Sequence, residues 1–237
     1  MFSKKYTLST SDVDAFLELK LSTLFVMMQD VATDHAETLG VGKAKTLDKG
    51  LFWVITRYLV DISRMPRYLE TIVVKTYPGK DMRFIFPRYF QIESESGEVL
   101  IRASSTWCVL DKATHRINMK PFDTSLPEEH LENELPLPPK VTSGNASIVE
   151  NRKVRYSEVD LNGHLNNASY ITYILDMHSR DFYAKNKIKN FIINYEREII
   201  DGQKVDLLSD QNLPSEYIKG TVDNNTIFEV NVTYESR

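Results

Sequence analysis

The run Asp160-Leu161-Asn162-Gly163-His164-Leu165-Asn166-Asn167-Ala168-Ser169-Tyr170 gathers a carboxylate, an imidazole and three amides directly ahead of an apolar segment with helical spacing. Such groups orient water, move protons and stabilise an oxyanion, and the free N–H groups of a helix start add positive partial charge at the same place. Gly163 lets the backbone adopt positive φ or come close to a ligand. A plainer reading stands beside this one: Asn166 or Asn167 caps the helix and Asp160 closes a turn. Capping explains one Asn but neither His164 nor the density of the cluster. No other part of the sequence groups its reactive side chains in this way. Ser104 and Ser105 lack a Gly-x-Ser-x-Gly elbow, and no His-x-x-x-His or Glu-paired spacing suggests a metal. Cys108, beside Trp107 in an alternating segment, reads as a buried apolar residue. His35 and His178 fall on predicted helices, packed or solvated. Neither a metal nor an organic cofactor is expected.

The cluster needs a rigid element behind it, and the sequence predicts a helix from about Asn167 to Ala184. Tyr170, Tyr173, Ile174 and Met177 make one apolar stripe, and Ile171, Leu175 and Phe182 make another. A helix apolar nearly all round must be wrapped rather than laid on a surface. A strongly curved antiparallel sheet around a central helix, the hot-dog arrangement, does this. Strand candidates follow at Phe191–Ile200, Lys204–Ser209, Glu216–Asp223 and Thr226–Tyr234, after a short lead over Arg152–Val159.

The first half of the chain runs in the same order. A polar lead precedes a helix candidate with Ser22 as N-cap and Leu24, Met28, Val31 and His35 at helical spacing. Strands are expected at Phe52–Ile62, Thr71–Tyr77, Arg83–Ile92 and Val99–Leu110. In the third of these, Phe84, Phe86, Phe90 and Ile92 share a face that Arg88 interrupts. A shift of 146 residues lays Asp14 on Asp160 and Asp30 on Asp176, which suggests a duplication. The expected class is α+β, with two tandem hot-dog domains. Five of the nine prolines lie between Lys120 and Lys140 and mark a surface linker. The expected division is 1–119 for the N-terminal domain, 120–147 for the linker and 148–237 for the C-terminal domain.

Bulk properties narrow the function classes. The 237 residues, 42% of them hydrophobic, suffice for a sizeable core. A net charge of −4 lacks the basic footprint of general nucleic-acid binding, so no nucleic-acid partner is expected. No apolar stretch approaches the ~20 residues that span a bilayer, so no integral membrane association is expected. The opening MFSKKYTLSTSD has no apolar h-region, and one cysteine allows no intrachain disulfide, which fits a reducing cytoplasm. Lys185, Lys187 and Lys189 form a basic run that either solvates a helix end or meets an acidic partner.

Asp-x-Asn-x-His-x-Asn-Asn-x-x-Tyr ahead of an apolar helix resembles the second hot-dog domain of acyl-ACP thioesterases, the oleoyl/palmitoyl type of plants and bacteria. The same stretch also satisfies the Asp-x-x-Gly-x-x-Asn-Asn-x-x-Tyr pattern of acyl-CoA thioesterases of the 4-hydroxybenzoyl type; chain length and duplication favour the former. The resemblance implies hydrolysis of fatty acyl-acyl carrier protein in fatty acid biosynthesis, with acyl carrier protein (ACP) as partner. It implies a further catalytic Glu after the helix, which the match of Ile193-Asn194-Tyr195-Glu196-Arg197-Glu198-Ile199 places at Glu198. Where plant sequences carry a cysteine this chain has Ile199, which points to carboxylate rather than thiol chemistry. On this resemblance Asp160 and Glu198 supply the carboxylates, Asn162 orients, His164 donates or shuttles a proton, and Asn166, Asn167 and Tyr170 contact substrate. The N-terminal hot dog would line the acyl channel. Two fused hot dogs leave both a monomer and a homodimer open. An acyl-CoA thioesterase, a non-catalytic acyl-binding protein and a hot-dog dehydratase are the rival classes.

Overall fold

The structure, a computed structural model, describes residues 1–119, 133–142, 144–160 and 163–237. In chain order the elements are β1 (Phe2–Thr7), α1 (Leu21–Thr38), α2 (Lys43–Leu47), β2 (Leu51–Ile62), β3 (Thr71–Pro78), β4 (Phe86–Ser94) and β5 (Val99–Asp111). They continue with β6 (Ser147–Lys153), a 3₁₀ turn at Tyr156–Glu158, α3 (Asn167–Leu175), α4 (Arg180–Tyr183), β7 (Asn186–Tyr195), β8 (Lys204–Ser209), β9 (Ser215–Val222) and β10 (Asn225–Ser236). All ten strands form one sheet in the order β1-β3-β4-β5-β2-β7-β10-β9-β8-β6, and every pairing is antiparallel. That order is symmetric about the β2–β7 junction, where Arg57 to Asp61 pair with Asn194 to Asn190. Each half of the sheet has its own helix, the 18-residue α1 in one and the 9-residue α3 in the other, giving the two tandem hot dogs of an α+β fold.

The helices meet each other as well as their own sheets. In α1, Leu24, Phe25, Met28 and Val31 are buried; in α3, Tyr170, Ile171, Tyr173 and Ile174 are. The Phe25 ring lies edge-on to Tyr58 of β2 at 4.9 Å and to Phe191 of β7 at 5.8 Å, so one side chain spans the junction. Truncating Ile174 to Ala, at a fully buried position, is expected to cost about 2–5 kcal/mol. In a domain of this size that lowers the thermal midpoint by roughly 5–15 °C, read by calorimetry.

The 146-residue shift recurs in the backbone of the two loops that enter the helices. Asp14 N–H donates to Glu18 O (2.8 Å) and Asp160 N–H to His164 O (2.7 Å). Glu18 N–H donates to Asp14 Oδ1 (3.1 Å) and His164 N–H to Asp160 Oδ1 (3.2 Å). Lys20 N–H reaches Asp12 O and Asn166 N–H reaches Glu158 O, both at 2.9 Å. Leu17 (φ 61°) and Gly163 (φ 85°) both take the left-handed conformation that the turn demands. The two loops are one device used twice, each closed by an aspartate.

Several expected elements differ from those observed. The polar lead is an edge strand, β1, half-exposed and rich in lysine, as edges tend to be. The lead over Arg152–Val159 is the end of β6 followed by the 3₁₀ turn. Ser22 is not the N-cap of α1: Lys20 is, without a side-chain cap, because its tethered N–H has already turned the chain into the helix. The strand expected from Arg83 starts at Phe86, since Arg83 has φ 65° and Met82 pairs with Ile85 across a tight turn.

The helix expected to run to Ala184 ends at Leu175. His178 swings in to bond Glu216 (Nε2···Oε2 2.7 Å) and stack on Phe182 (3.9 Å), and Ser179 caps the separate α4. Glu216 is fully buried and accepts from Ser209, His178 and Tyr234. Burial alone would raise its pKa, but the hydrogen bonds and the His178 charge outweigh it and hold it below the ordinary 4.5. A carboxylate with a depressed folded-state pKa contributes stability in full above its unfolded value, and that contribution is lost as pH falls through the folded value. Glu216→Gln should therefore lower the thermal midpoint near neutral pH, with the gap to the unaltered protein closing below pH 4.5.

Candidate active site

The loop before α3 and the segment after β7 come together at the start of α3. Beyond Tyr195 the sheet alternation stops, because Glu196 N–H and Arg197 N–H both reach Ile227 O (2.7 and 3.1 Å). Glu198 is therefore not on a strand, although the sequence places it on one extending to Ile200. The released segment turns back along the loop, with Leu165 N–H donating to Ile199 O (2.7 Å) and His164 bridging Ile200. That antiparallel approach sets Glu198 Oε2 3.2 Å from His164 Nε2. The same oxygen lies 3.5 Å from Nδ1 of His115, which comes from the turn after β5.

Asp160 lines the cleft formed here and holds His164 N–H through Oδ1. Asn166 is the N-cap of α3, its Oδ1 accepting from Ala168 N–H (2.9 Å), as the plainer reading of the motif had it. Asn167 Nδ2 reaches across to Gln29 Oε1 on α1 (3.4 Å). The Tyr170 ring is wedged between Tyr195 (5.3 Å) and Phe228 (5.4 Å). Its pKa is raised by burial first and then by the charge of Glu198, so it stays a phenol. Phe228 can lie there because Gly220, across the ladder, leaves room for its ring: a Cβ on Gly220 would overlap it. Asn162 lies outside the described residues, as do Leu161, Ser143 and 120–132 of the expected linker.

The cleft measures about 480 Å³, and its walls include Asp160, His164, Asn167, Tyr170, Tyr195 and Glu198. Cys108 also borders it, but burial pushes its thiol up to about 11, which leaves almost no thiolate at neutral pH. A second chamber of about 420 Å³ adjoins, sharing Gln29, Phe52, Trp53, Trp107 and Asp160 with the first. Most of its wall comes from the N-terminal half, including Ala32, Val41, Phe86 and Pro87. Among the described residues no group of three or more His, Cys, Asp or Glu side chains is placed to hold a metal. The arrangement can take a proton from water at an imidazole steadied by a carboxylate, next to a compartment suited to hydrocarbon.

Gln29 and His115 carry no signal in the sequence that would single them out. One is a polar residue on an amphipathic helix and the other sits in a turn; only pairing of β2 with β7 brings them to residues more than 80 positions away.

Comparison with known proteins settles the family. The model of the acyl-ACP thioesterase N-terminal domain matches residues 1–124, and that of the C-terminal domain matches 142–235. This chain belongs to the acyl-ACP thioesterase family. It is 26% identical over 214 residues to a palmitoyl-acyl carrier protein thioesterase of Arabidopsis thaliana, and 25% identical over 214 residues to an acyl-[acyl-carrier-protein] hydrolase of Cuphea viscosissima. Each match covers 84% of this chain and 52% of the relative, so the chain spans about half the length of these curated thioesterases. A solved acyl-ACP thioesterase of Bacteroides thetaiotaomicron has the same fold, with a TM-score of 0.88 at 23% identity over 98% of this chain and 97% of that one. The 12:0-ACP thioesterase of Umbellularia californica superposes with a TM-score of 0.87 at 18% identity, over 100% and 97% of the two chains.

Proposed function

We propose that this chain hydrolyses the thioester of fatty acyl-ACP, releasing free fatty acid and ACP, with Asp160, Asn162, His164 and Glu198 as its catalytic groups. The observation that carries the reading is the His164–Glu198 pair at 3.2 Å, in a cleft that Asp160 also lines and that shares wall residues with a second chamber. Family membership supports the substrate class.

In this mechanism Glu198, 3.2 Å from Nε2 of His164, takes the Nε2–H as a hydrogen bond when substrate is bound and leaves Nδ1 to take a proton from water. The hydroxide so formed attacks the thioester carbonyl carbon. The resulting oxyanion is met by the amide of Asn167 and the positive end of α3. The imidazolium is stabilised by Glu198 and Asp160 and returns its proton to the departing thiolate sulfur, so that water and thioester become carboxylic acid and thiol. Asn162 orients the water or the carbonyl through its amide. Asn166, as the cap, and Tyr170, as the packed phenol, fix the helix start against which substrate lies. The N-terminal half (1–119) binds the acyl chain and the C-terminal half (148–237) carries the chemistry, with 120–147 joining them. The reaction uses no cofactor. The single, buried Cys108 suits a reducing, cytoplasmic setting.

The test is thiol release from acyl-ACP and from acyl-CoA of matched chain length, followed with a chromogenic thiol reagent. Faster turnover of the ACP form supports the reading. Preference for the CoA form would move the protein to the CoA-dependent class, and intact thioester in both would make it a binder.

A further inference from the structure

Arg88 stands in the wall of the apolar chamber, on the inward face of β4 among Phe86, Phe90 and Ile92, and is only 7% exposed. Its Nη1 donates to His35 Nδ1 and Thr76 Oγ1, both neutral acceptors at 3.2 Å. Nε and Nη2 make no hydrogen bond, and no carboxylate forms an ion pair with the guanidinium, among the described residues. Asp30, an acid in the same wall, is influenced by Lys4 and Asp34 instead. Burial pulls the guanidinium down to about 10, the mark of a cation without a counter-charge. Beside it the fully buried Tyr58 hydroxyl also lacks a hydrogen-bond partner.

A guanidinium held only by two neutral acceptors on Nη1, beside a buried hydroxyl with no partner and next to a cavity, forms an unusual arrangement. Unpaired buried polar groups cost free energy, and a buried cation with no partner costs more. An unsubstituted hydrocarbon in the chamber would displace solvent from Arg88 and give it nothing in exchange. An oxygen on the chain would supply the missing acceptor, and a charged donor makes the stronger kind of hydrogen bond.

We propose that Arg88 is a specificity-determining residue that selects acyl chains bearing a hydroxyl or keto oxygen at the carbon lying against it. The assignment rests on the thioesterase reading, with the adjoining chamber holding the acyl chain. The sequence already marks the position, since Arg88 interrupts an otherwise apolar face; burial removes it from any surface contact with a carrier protein.

The test uses acyl-ACPs of one chain length with a hydroxyl moved carbon by carbon along the chain, compared with the unsubstituted chain. For the unaltered protein, kcat/KM should rise by roughly tenfold to a hundredfold at one or two adjacent hydroxyl positions. Arg88→Met should lose that maximum and prefer the unsubstituted chain. Because the comparison is a ratio within one preparation, a partly unfolded variant does not distort it, and the unaltered protein alone can decide the question. Equal or lower kcat/KM for every hydroxylated chain would overturn the role of Arg88 while leaving the thioesterase reading intact. No thiol release from any chain would overturn both.

Discussion

Replacing Glu198 with Gln is expected to lower kcat for thiol release from acyl-ACP by roughly 10²–10⁴-fold, the range that a positioned acid–base pair contributes. Gln keeps the shape and one oxygen acceptor, so the 3.2 Å approach to His164 Nε2 can persist. What disappears is the negative charge facing the imidazolium that the proposed mechanism forms. The loss should therefore fall on kcat with little change in KM, because no contact to the acyl chain is removed. His115 approaches the same carboxylate oxygen from the other side but is more exposed, with a side-chain exposure of 57% against 22% for His164. Its replacement should cost far less. A Glu198→Gln protein with unaltered kcat, folded as judged by its thermal midpoint, would remove Glu198 from the mechanism.

Asp160→Asn is expected to lower kcat by roughly 10²-fold or more, at the lower end of the acid–base range. The twin loop makes this a controlled experiment. Asp14 and Asp160 each close their turn by accepting the N–H four residues on, so Asp14→Asn removes the matching carboxylate from the fold. The first loop, however, presents Glu18 where the second presents His164, and lines a separate cleft. If the Asp160 carboxylate serves only to close its turn, the two variants should behave alike in both stability and turnover. If it stabilises the imidazolium, they should melt alike and differ in turnover. Steady-state kinetics and calorimetry on the pair separate the outcomes.

The two helix-entry loops share a backbone and differ in side chains. At matching positions the loop before α3 has His164, Asn166 and Asn167, whereas the loop before α1 has Glu18, Lys20 and Leu21. The backbone device survives in both because it starts a buried helix at the right depth. Between the two loops Val13/Val159, Asp14/Asp160 and Leu19/Leu165 are kept while most other side chains differ. The first loop keeps a structural task, holding α1 where Gln29 can reach Asn167.

The sequence by itself determined what local pattern can determine. The apolar girth of α3 required wrapping, the alternation of β2, β3 and β5 located strands nearly to their ends, and the Asp160–Tyr170 cluster marked the loop that enters α3. The 146-residue interval is written in the aspartates at 14 and 160 and returns in the hydrogen bonds they accept. These features are written in residue type at short spacing, where hydrophobic period and capping act directly. Tertiary structure alone decided the rest. Glu198 meets His164 because the chain leaves the sheet after Tyr195, an outcome set by two N–H groups sharing Ile227 O. Gln29 and His115 reach the site only through the β2–β7 junction between the halves. The helix ends at Leu175, and His178 beyond it finds a buried partner in Glu216, 38 residues further on. Arg88 reads as an interruption in sequence, and only the fold shows that its side-chain partners among the described residues are His35 and Thr76 rather than a carboxylate. In each case the deciding partner is distant along the chain, and no local propensity can anticipate which side chains a closed sheet will bring face to face.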